Sequence, residues 1–106
     1  MIEPQNINDV REKLVASGKL YREFLRVPDL SVGLYRLNAG SQDPQGPHNE
    51  DEVYYVVSGR AQVRIGQNER TVNPGDIVYV EKHVEHKFFS IESDLELLVL
   101  FAPAET

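Results

Sequence analysis

From residue 21 onward, the chain is a succession of short β-prone segments separated by turn signals. The segment 53–58, VYYVVS, is β-branched or aromatic almost throughout and is apolar on both faces, which is typical of a central strand. Turn signals include the pair Pro28-Asp29, the run 73–76 (NPGD), and the loop 38–47 with its two glycines and two prolines. We predict about eight strands, at residues 21–27, 30–37, 53–58, 61–65, 70–72, 77–80, 86–91 and 95–101.

The predicted strands follow one another at intervals of about eight to twelve residues, without the alternating helices of a parallel sheet. This order predicts an all-β sandwich or barrel. Residues 58–60 (SGR) and 66–68 are expected to be turns between strands, and residues 103–106 are expected to fray.

Residues 6–17 form the one convincing helical pattern. Asn6 or Asn8 can cap its start, and Gly18 is well placed to end it. Its apolar residues at helical spacing are Ile7, Val10 and Leu14. The apolar stripe is narrow, so we expect the helix to lie against the outside of the domain or against a partner subunit.

The length of 106 residues predicts a single domain over residues 1–106, with a helical segment at 1–20 and a β-barrel at 21–102. Apolar residues make up 41% of the chain and charged residues 26%, which is ordinary for a globular protein.

Charge and composition exclude several classes of function. The net charge is −6 and no basic run occurs, so nucleic acid is not an expected partner. The absence of cysteine removes disulfides, thiolate ligands and cysteine nucleophiles, and it suits the cytoplasm. No apolar run approaches the roughly 18 residues of a membrane span. We expect a cytoplasmic protein with a small-molecule ligand, and no membrane or nucleic-acid partner.

His48, Glu52 and His86 are the residues with the most distinctive chemistry. On a straight strand, residues four apart are about 13 Å apart, whereas two ligands of one ion lie about 3 Å apart. His48 and Glu52 can share an ion only if the chain bends at residues 49–51, and His86 must then face them across the interior.

Residues 40–90 resemble the cupin superfamily in two motifs. The first motif is matched by Gly40, five residues, the triplet Gly46-Pro47-His48, three residues, Glu52, six residues and Gly59. The second motif is matched by Gly75 and His86 at the family's separation. The chain departs from the motifs with Gly46 in place of a histidine, Glu81 in place of a proline, His83 in place of a glycine and Ser90 in place of an asparagine.

The resemblance implies a double-stranded β-helix, a jelly-roll barrel of two antiparallel sheets, and a homodimer. It also implies a divalent metal (Fe, Mn, Ni or Zn) held by His48, Glu52 and His86. Gly46 leaves the fourth ligand position vacant. The side chains that can reach it from the preceding loop are Gln42, Asp43 and Gln45, and water can also occupy it.

Several other residues belong to the predicted barrel or its rim. We expect Tyr35, Tyr54, Tyr79 and Phe88 to face the interior, and Arg36 and Arg64 to face outward. Glu50 and Asp51 are expected to be exposed turn acids, and His83 to lie at the rim. The candidate pocket residues are Gln45, Glu50, Tyr54 and Phe88, and Glu50 or Tyr54 is a candidate for proton transfer.

Three functions are compatible with these observations. The first is a metal-dependent enzyme (an oxygenase, isomerase or lyase) acting on a small polar molecule. The second is a non-catalytic module that binds a sugar or carboxylate. The third is a structural dimer with a decayed metal site.

Overall fold

The computed structural model describes residues 3–106, so that the first two residues of the predicted helical segment lie outside it. Within the described residues, one helix precedes six strands. The elements are α1 (Ile7–Ser17), β1 (Tyr21–Val27), β2 (Leu30–Leu37), β3 (Asp51–Ile65), β4 (Asn68–Val72), β5 (Ile77–Val80) and β6 (His86–Ala102). The predicted all-β class with one N-terminal helix is confirmed. No helix within residues 3–106 is long and apolar enough to cross a membrane.

Helix α1 begins and ends at the predicted residues. The Asn6 side chain accepts a hydrogen bond from the backbone N–H of Asn8 at 2.8 Å, and Gly18 ends the helix in the left-handed conformation at φ 72°. Val10 and Leu14 are buried with Leu34 of β2, so the helix covers the outer face of the sheet.

Strands β3 and β6 are longer than the sequence predicts. Residues 58–60 are not a turn, since β3 continues through them, and β6 likewise continues through residues 92–94. The register between the two strands shifts three times between Val56 and Gln62. Such irregularities bend a strand without ending its pairing, which is how one bent strand takes the place of two predicted ones.

The strand order is β1-β2-β6-β3-β4, with β5 also paired to β3, and every pairing is antiparallel. The first part of β3 lies between β5 and the end of β6, and its last part lies between β4 and the start of β6. The two halves therefore belong to opposite walls of a barrel with an apolar interior.

The interior contains most of the predicted aromatic residues. Tyr35, Tyr54 and Phe88 are buried as predicted, and the Tyr54 and Phe88 rings meet edge to face at 4.9 Å. The prediction for Tyr79 is wrong, because this side chain is 58% exposed. Alternation along the short strand β5 turns Val80 inward and Tyr79 outward.

An ion-pair cluster joins the helix to the outer face of the sheet. The Glu96 carboxylate is buried and lies within 2.5–2.6 Å of guanidinium nitrogens of Arg11 on α1 and Arg36 on β2. Burial raises the pKa of Glu96, but hydrogen bonds and charge from the two arginines lower it by more, so the pKa is lowered on balance. Arg36 thus faces outward as predicted, and Arg64 is exposed beside Glu69.

The C-terminal segment 103–106 is ordered, and the prediction that it frays is wrong. Ala104 is buried and donates its N–H to the Pro28 carbonyl, and the Glu105 N–H donates to Ser31 Oγ at 2.9 Å. Thr106 donates to Glu50 through its backbone N–H and its hydroxyl. Glu50 is therefore a buried acceptor for the tail, not the exposed turn acid that was expected.

Gly59 permits the bend of β3, and replacing it should destabilise the barrel. Its φ is 93°, and a Cβ at this position would lie 2.3 Å from the backbone oxygen of Asp94 in β6. Gly75 also has φ 93° but has no atom within 4 Å of such a Cβ. We expect Gly59→Ala to lower the free energy of unfolding by about 3 kcal/mol or more, and Gly75→Ala by about 1 kcal/mol, because only the former adds a backbone clash. Urea unfolding measures both, and equal losses would contradict the proposed role of Gly59.

The Glu96 cluster should make stability depend on pH. Because its pKa is lowered by folding, Glu96 contributes stability above its unfolded pKa, and the contribution is lost as pH falls through the folded pKa. We expect Glu96→Gln to cost about 2 kcal/mol at pH 7, and the difference from wild type to shrink below about pH 4. The control is Glu92→Gln, which removes an exposed partner of Arg60. Urea unfolding over a pH series should show no comparable loss for the control, and a pH-independent Glu96→Gln cost would contradict the argument.

Candidate metal centre

Three separate parts of the chain bring the candidate ligands together. His48 lies on the loop before β3, Glu52 is near the start of β3, and His86 begins β6 on the opposite wall. The His83 backbone N–H donates to the His48 carbonyl at 2.7 Å, which joins the loop that carries His48 to the loop that precedes His86. One potential ligand atom from each of the three residues lies within 4.8 Å of the others.

His86 and Glu52 present polar atoms that the protein leaves unsatisfied. His86 Nδ1 lies 2.9 Å from the Val84 carbonyl, which only accepts, so Nδ1 carries a proton and Nε2 is the atom that can bind a further proton or a cation. His86 Nε2 is 3.1 Å from Glu52 Oε1, close enough for an ion pair but not aligned as a hydrogen bond. Both Glu52 oxygens and His86 Nε2 are buried without a hydrogen-bond partner. Such atoms are costly to bury unless a cation or proton joins them.

The surroundings of His86 favour positive charge. Burial lowers the pKa of His86, but contacts with the Glu52 carboxylate and the Val84 carbonyl, together with the charge of Asp43, raise it on balance. A position that stabilises a proton on the imidazole also suits a metal ion bound to its lone pair.

His48 completes the group from the loop side. Its Nδ1 lies 3.2 Å from Glu105 Oε2, and its Nε2 lies 3.3 Å from Gln45 Oε1. The ring packs against Phe101 at 4.8 Å and lies 5.5 Å from the His86 ring. Phe101 thus supports the His48 ring on one side. The two ring nitrogens of His48 contact side chains from different segments of the chain.

The loop before Gly46 contributes one side chain to the site. Asp43 is buried and accepts hydrogen bonds from Tyr35 Oη at 2.6 Å and the Phe88 N–H at 3.0 Å, so it anchors the loop to the barrel wall. Gln42 is exposed. Of the three loop residues that were expected to reach the vacant ligand position, Gln45 is the one that approaches His48. It precedes Gly46, where an added Cβ would have no atom within 4 Å.

A cavity of about 240 Å³ is lined by two of the three candidate ligands, His48 and Glu52. Its polar lining is formed by Gln45, His48, Glu52, Glu105 and three tyrosines, and its apolar lining by Leu20, Pro44, Val99 and Phe101. The tyrosines are Tyr21, Tyr35 and Tyr54. No lysine or arginine lines the described cavity, which therefore has an acidic polar end and apolar walls.

The candidate pocket residues do not all reach this cavity. Gln45 and Tyr54 line it. Glu50 does not line the cavity, and its carboxylate accepts a hydrogen bond from the C-terminal Thr106 instead. Phe88 does not line it either, since its ring packs in the core beside Tyr54. His83 lies exposed at the rim. The predicted proton-transfer role is thus sterically open to Tyr54 and not to Glu50.

Two polar cavity residues, Tyr21 and Glu105, were not predicted from the sequence. Tyr21 lies at the start of β1 and packs over Gly33, and its hydroxyl is buried without a partner among the described residues. Glu105 belongs to the segment that was expected to fray. Neither residue lies within residues 40–90, so the spacing of the two motifs gave no indication that either would line the cavity.

Burial governs the protonation of the cavity groups. It raises the pKa of Tyr54 well above its usual value, with the Glu52 charge adding to the effect, and it also raises the pKa of Tyr21. Burial raises the pKa of Glu105 as well; the charge of His48 lowers it, and the carboxylates of Glu52 and Glu50 raise it. The tyrosines consequently remain hydrogen-bond donors at neutral pH.

Comparison with known proteins identifies the family. Residues 33–102 match the family described as the Cupin domain. The uncharacterized protein SCO3923 of Streptomyces coelicolor is 45% identical over 100 residues, which cover 94% of this chain and 95% of that protein. Both findings extend beyond the motif region on which the resemblance was based.

Solved structures show the same barrel. KdgF from a Halomonas species superposes with a TM-score of 0.70 at 25% identity, over 78% of this chain and 76% of that one. A putative mannose-6-phosphate isomerase from Ralstonia eutropha gives a TM-score of 0.69 at 24% identity, over 79% of this chain and 83% of that one. The predicted jelly-roll barrel is confirmed, and this chain belongs to the cupin domain family.

Proposed function

We propose that the protein is a metal-dependent cupin that binds one divalent ion through His48, Glu52 and His86 and a small organic molecule in the adjoining cavity. The observation that carries the proposal is the convergence of buried, unsatisfied atoms of Glu52 and His86 with a ring nitrogen of His48. Two imidazoles and a carboxylate are a donor set that suits Fe(II), Mn(II), Ni(II) or Zn(II).

The donor set supports enzymatic chemistry on a bound oxygen atom. A bound ion would supply Lewis-acid polarisation of a ligand oxygen. Tyr21 would donate a hydrogen bond to the ligand through its unpartnered hydroxyl. Glu105 is a carboxylate in the cavity wall with a raised pKa, which suits the exchange of a proton with the ligand. An isomerase, lyase or oxygenase reaction is the first candidate, and ligand binding without turnover is the second.

The lining favours an uncharged ligand over an anionic one. Glu52 and Glu105 contribute negative charge, and no lysine or arginine of the described lining offsets it. A phosphate or sulfate group would lose its hydration without gaining a cationic partner other than the metal. The volume of about 240 Å³ lies just below the usual range for ligand pockets, about 300–1,000 Å³, which suits a small metabolite.

Metal binding should depend on His86 and not on the nearby His83. At a free ion concentration about 100 times the Kd, binding adds about 2.7 kcal/mol of stability, which raises the melting temperature by several degrees. We expect this metal-induced shift in the wild type and in His83→Ala, which alters an exposed rim residue, and its loss in His86→Ala. Calorimetry of untagged protein with Mn²⁺, Co²⁺, Ni²⁺ and Zn²⁺ measures the shift.

A wild-type protein that holds no stoichiometric ion, and whose melting temperature neither divalent ions nor a chelator alters, would contradict the proposed metal site. It would favour the structural dimer with a decayed site instead. Turnover abolished in His86→Ala would support an enzyme, whereas ligand-induced stabilisation without turnover would support a binding module.

Ligand charge should decide affinity. We expect a neutral sugar or phenol to stabilise metal-loaded protein more strongly than its phosphorylated counterpart, by about tenfold or more in Kd, which is about 1.4 kcal/mol. Leu20→Lys places a cation in the cavity lining and should reduce this preference. Thermal-shift titrations with matched neutral and phosphorylated pairs test the prediction, and tighter binding of the phosphorylated compounds by wild type would contradict it.

A further inference from the structure

The Gln45 amide is held in one orientation by its neighbours. Its Nε2 donates to Asp43 Oδ2 at 2.7 Å, and its Oε1 accepts a hydrogen bond from Tyr54 Oη at 2.9 Å. Asp43 is itself fixed by the Tyr35 hydroxyl and the Phe88 N–H. Since a carboxylate only accepts here, the amide nitrogen must face Asp43, and the amide oxygen must face His48.

Glu105 approaches His48 from the other side. Glu105 Oε2 lies 3.2 Å from His48 Nδ1, within ion-pair distance although not aligned as a hydrogen bond, and its negative charge favours a proton on Nδ1. The Glu105 backbone is held in place by Ser31, and the next residue by Glu50. In the tautomer with its proton on Nδ1, His48 Nε2 carries a lone pair that faces Gln45 Oε1.

Nε2 of His48 and Oε1 of Gln45 lie 3.3 Å apart. With the ring proton on Nδ1, both atoms present lone pairs that repel each other unless a cation lies near both, whereas with the proton on Nε2 they form a hydrogen bond. Two ligands that each lie about 2 Å from one ion are separated by about 3 Å, so this spacing suits neighbouring positions in one coordination shell. Gly46, where the motif has a histidine, has no atom within 4 Å of the position that a Cβ would occupy.

We propose that the amide oxygen of Gln45 is the fourth protein donor of the metal centre, and that Glu105 is a positioning residue that holds His48 in the tautomer this requires. The inference rests on the proposed metal site and adds two residues to it. One comes from the loop beside Gly46 and the other from the C-terminal segment, and neither occupies a ligand position of the motif. The competing arrangement has the proton on His48 Nε2, where it would donate to Gln45 in a metal-free site.

The ligand role of Gln45 is tested by Co²⁺ titration with isothermal calorimetry and visible absorption. We expect Gln45→Ala to weaken Co²⁺ binding at least tenfold and to change the absorption of the bound ion. Gln45→Glu, which retains an oxygen donor but loses the hydrogen bond to Asp43, should bind Co²⁺ more tightly than Gln45→Ala. The control is Gln42→Ala, the same change at an exposed position of the same loop, which should leave the Kd unaltered.

The outcomes separate this inference from the proposed function. Wild-type protein that binds no Co²⁺ would overturn the proposed metal site. Wild-type protein that binds Co²⁺ while Gln45→Ala matches Gln42→Ala in Kd and absorption would overturn only the role of Gln45.

The positioning role of Glu105 is tested without any metal, by the ¹⁵N chemical shifts of the His48 ring at a pH where it is neutral. We expect protonated Nδ1 in wild type and in Glu105→Gln, whose amide oxygen can still accept, and a shift towards protonated Nε2 in Glu105→Ala. Thr106→Ala removes a neighbouring hydrogen bond to Glu50 and should leave the tautomer unaltered. A wild-type ring with its proton on Nε2, or a Glu105→Ala ring with the wild-type tautomer, would overturn the role of Glu105.

Discussion

The antiparallel pairing of β3 with β6 is the interaction on which the rest of the structure depends. The two strands have 15 and 17 residues and remain paired through the bend at residues 56–62. Because each strand contributes to both walls, the start of β3 and the start of β6 face each other across the interior. That is why Glu52 and His86, 34 positions apart in the sequence, meet within 3.1 Å in a buried site.

The outer face of the sheet and the interior of the barrel each contain a buried glutamate, but the charges around these two glutamates differ. On the outer face, Glu96 is compensated by two arginines, so that the buried carboxylate has its partners within the protein. In the interior, Glu52 lies 3.1 Å from His86 Nε2, and its oxygens accept no aligned hydrogen bond. A buried carboxylate without a protein partner is stable only if a proton or a cation accompanies it. The contrast between these two glutamates is the physical basis for proposing that the interior one binds a metal.

Some elements were predictable because their causes are local. The helix start at Asn6, its end at Gly18 and the turn 73–76 follow from capping and turn preferences of a few neighbouring residues. The prediction of a turn at 58–60 was wrong because it, too, rested on a few neighbouring residues alone. Glycine with polar neighbours signals a turn locally, but the close approach of Asp94 in β6 makes Gly59 part of a bent, continuous strand. Exposure of Tyr79 and burial of Glu50 likewise depend on which face or segment each side chain meets.

The sequence alone determined the all-β class, the cupin resemblance and the three residues His48, Glu52 and His86, because motif spacing and side-chain alternation are properties of the chain itself. The tertiary structure alone decided which side chains lie near His48 and what surrounds the candidate ligands. Gln45 is oriented by Asp43 and Tyr54, and Glu105 reaches His48 from a segment 57 positions further along the chain. Contacts of this kind are set by the hydrogen bonds and packing of the folded barrel, which leave no periodic pattern in the sequence.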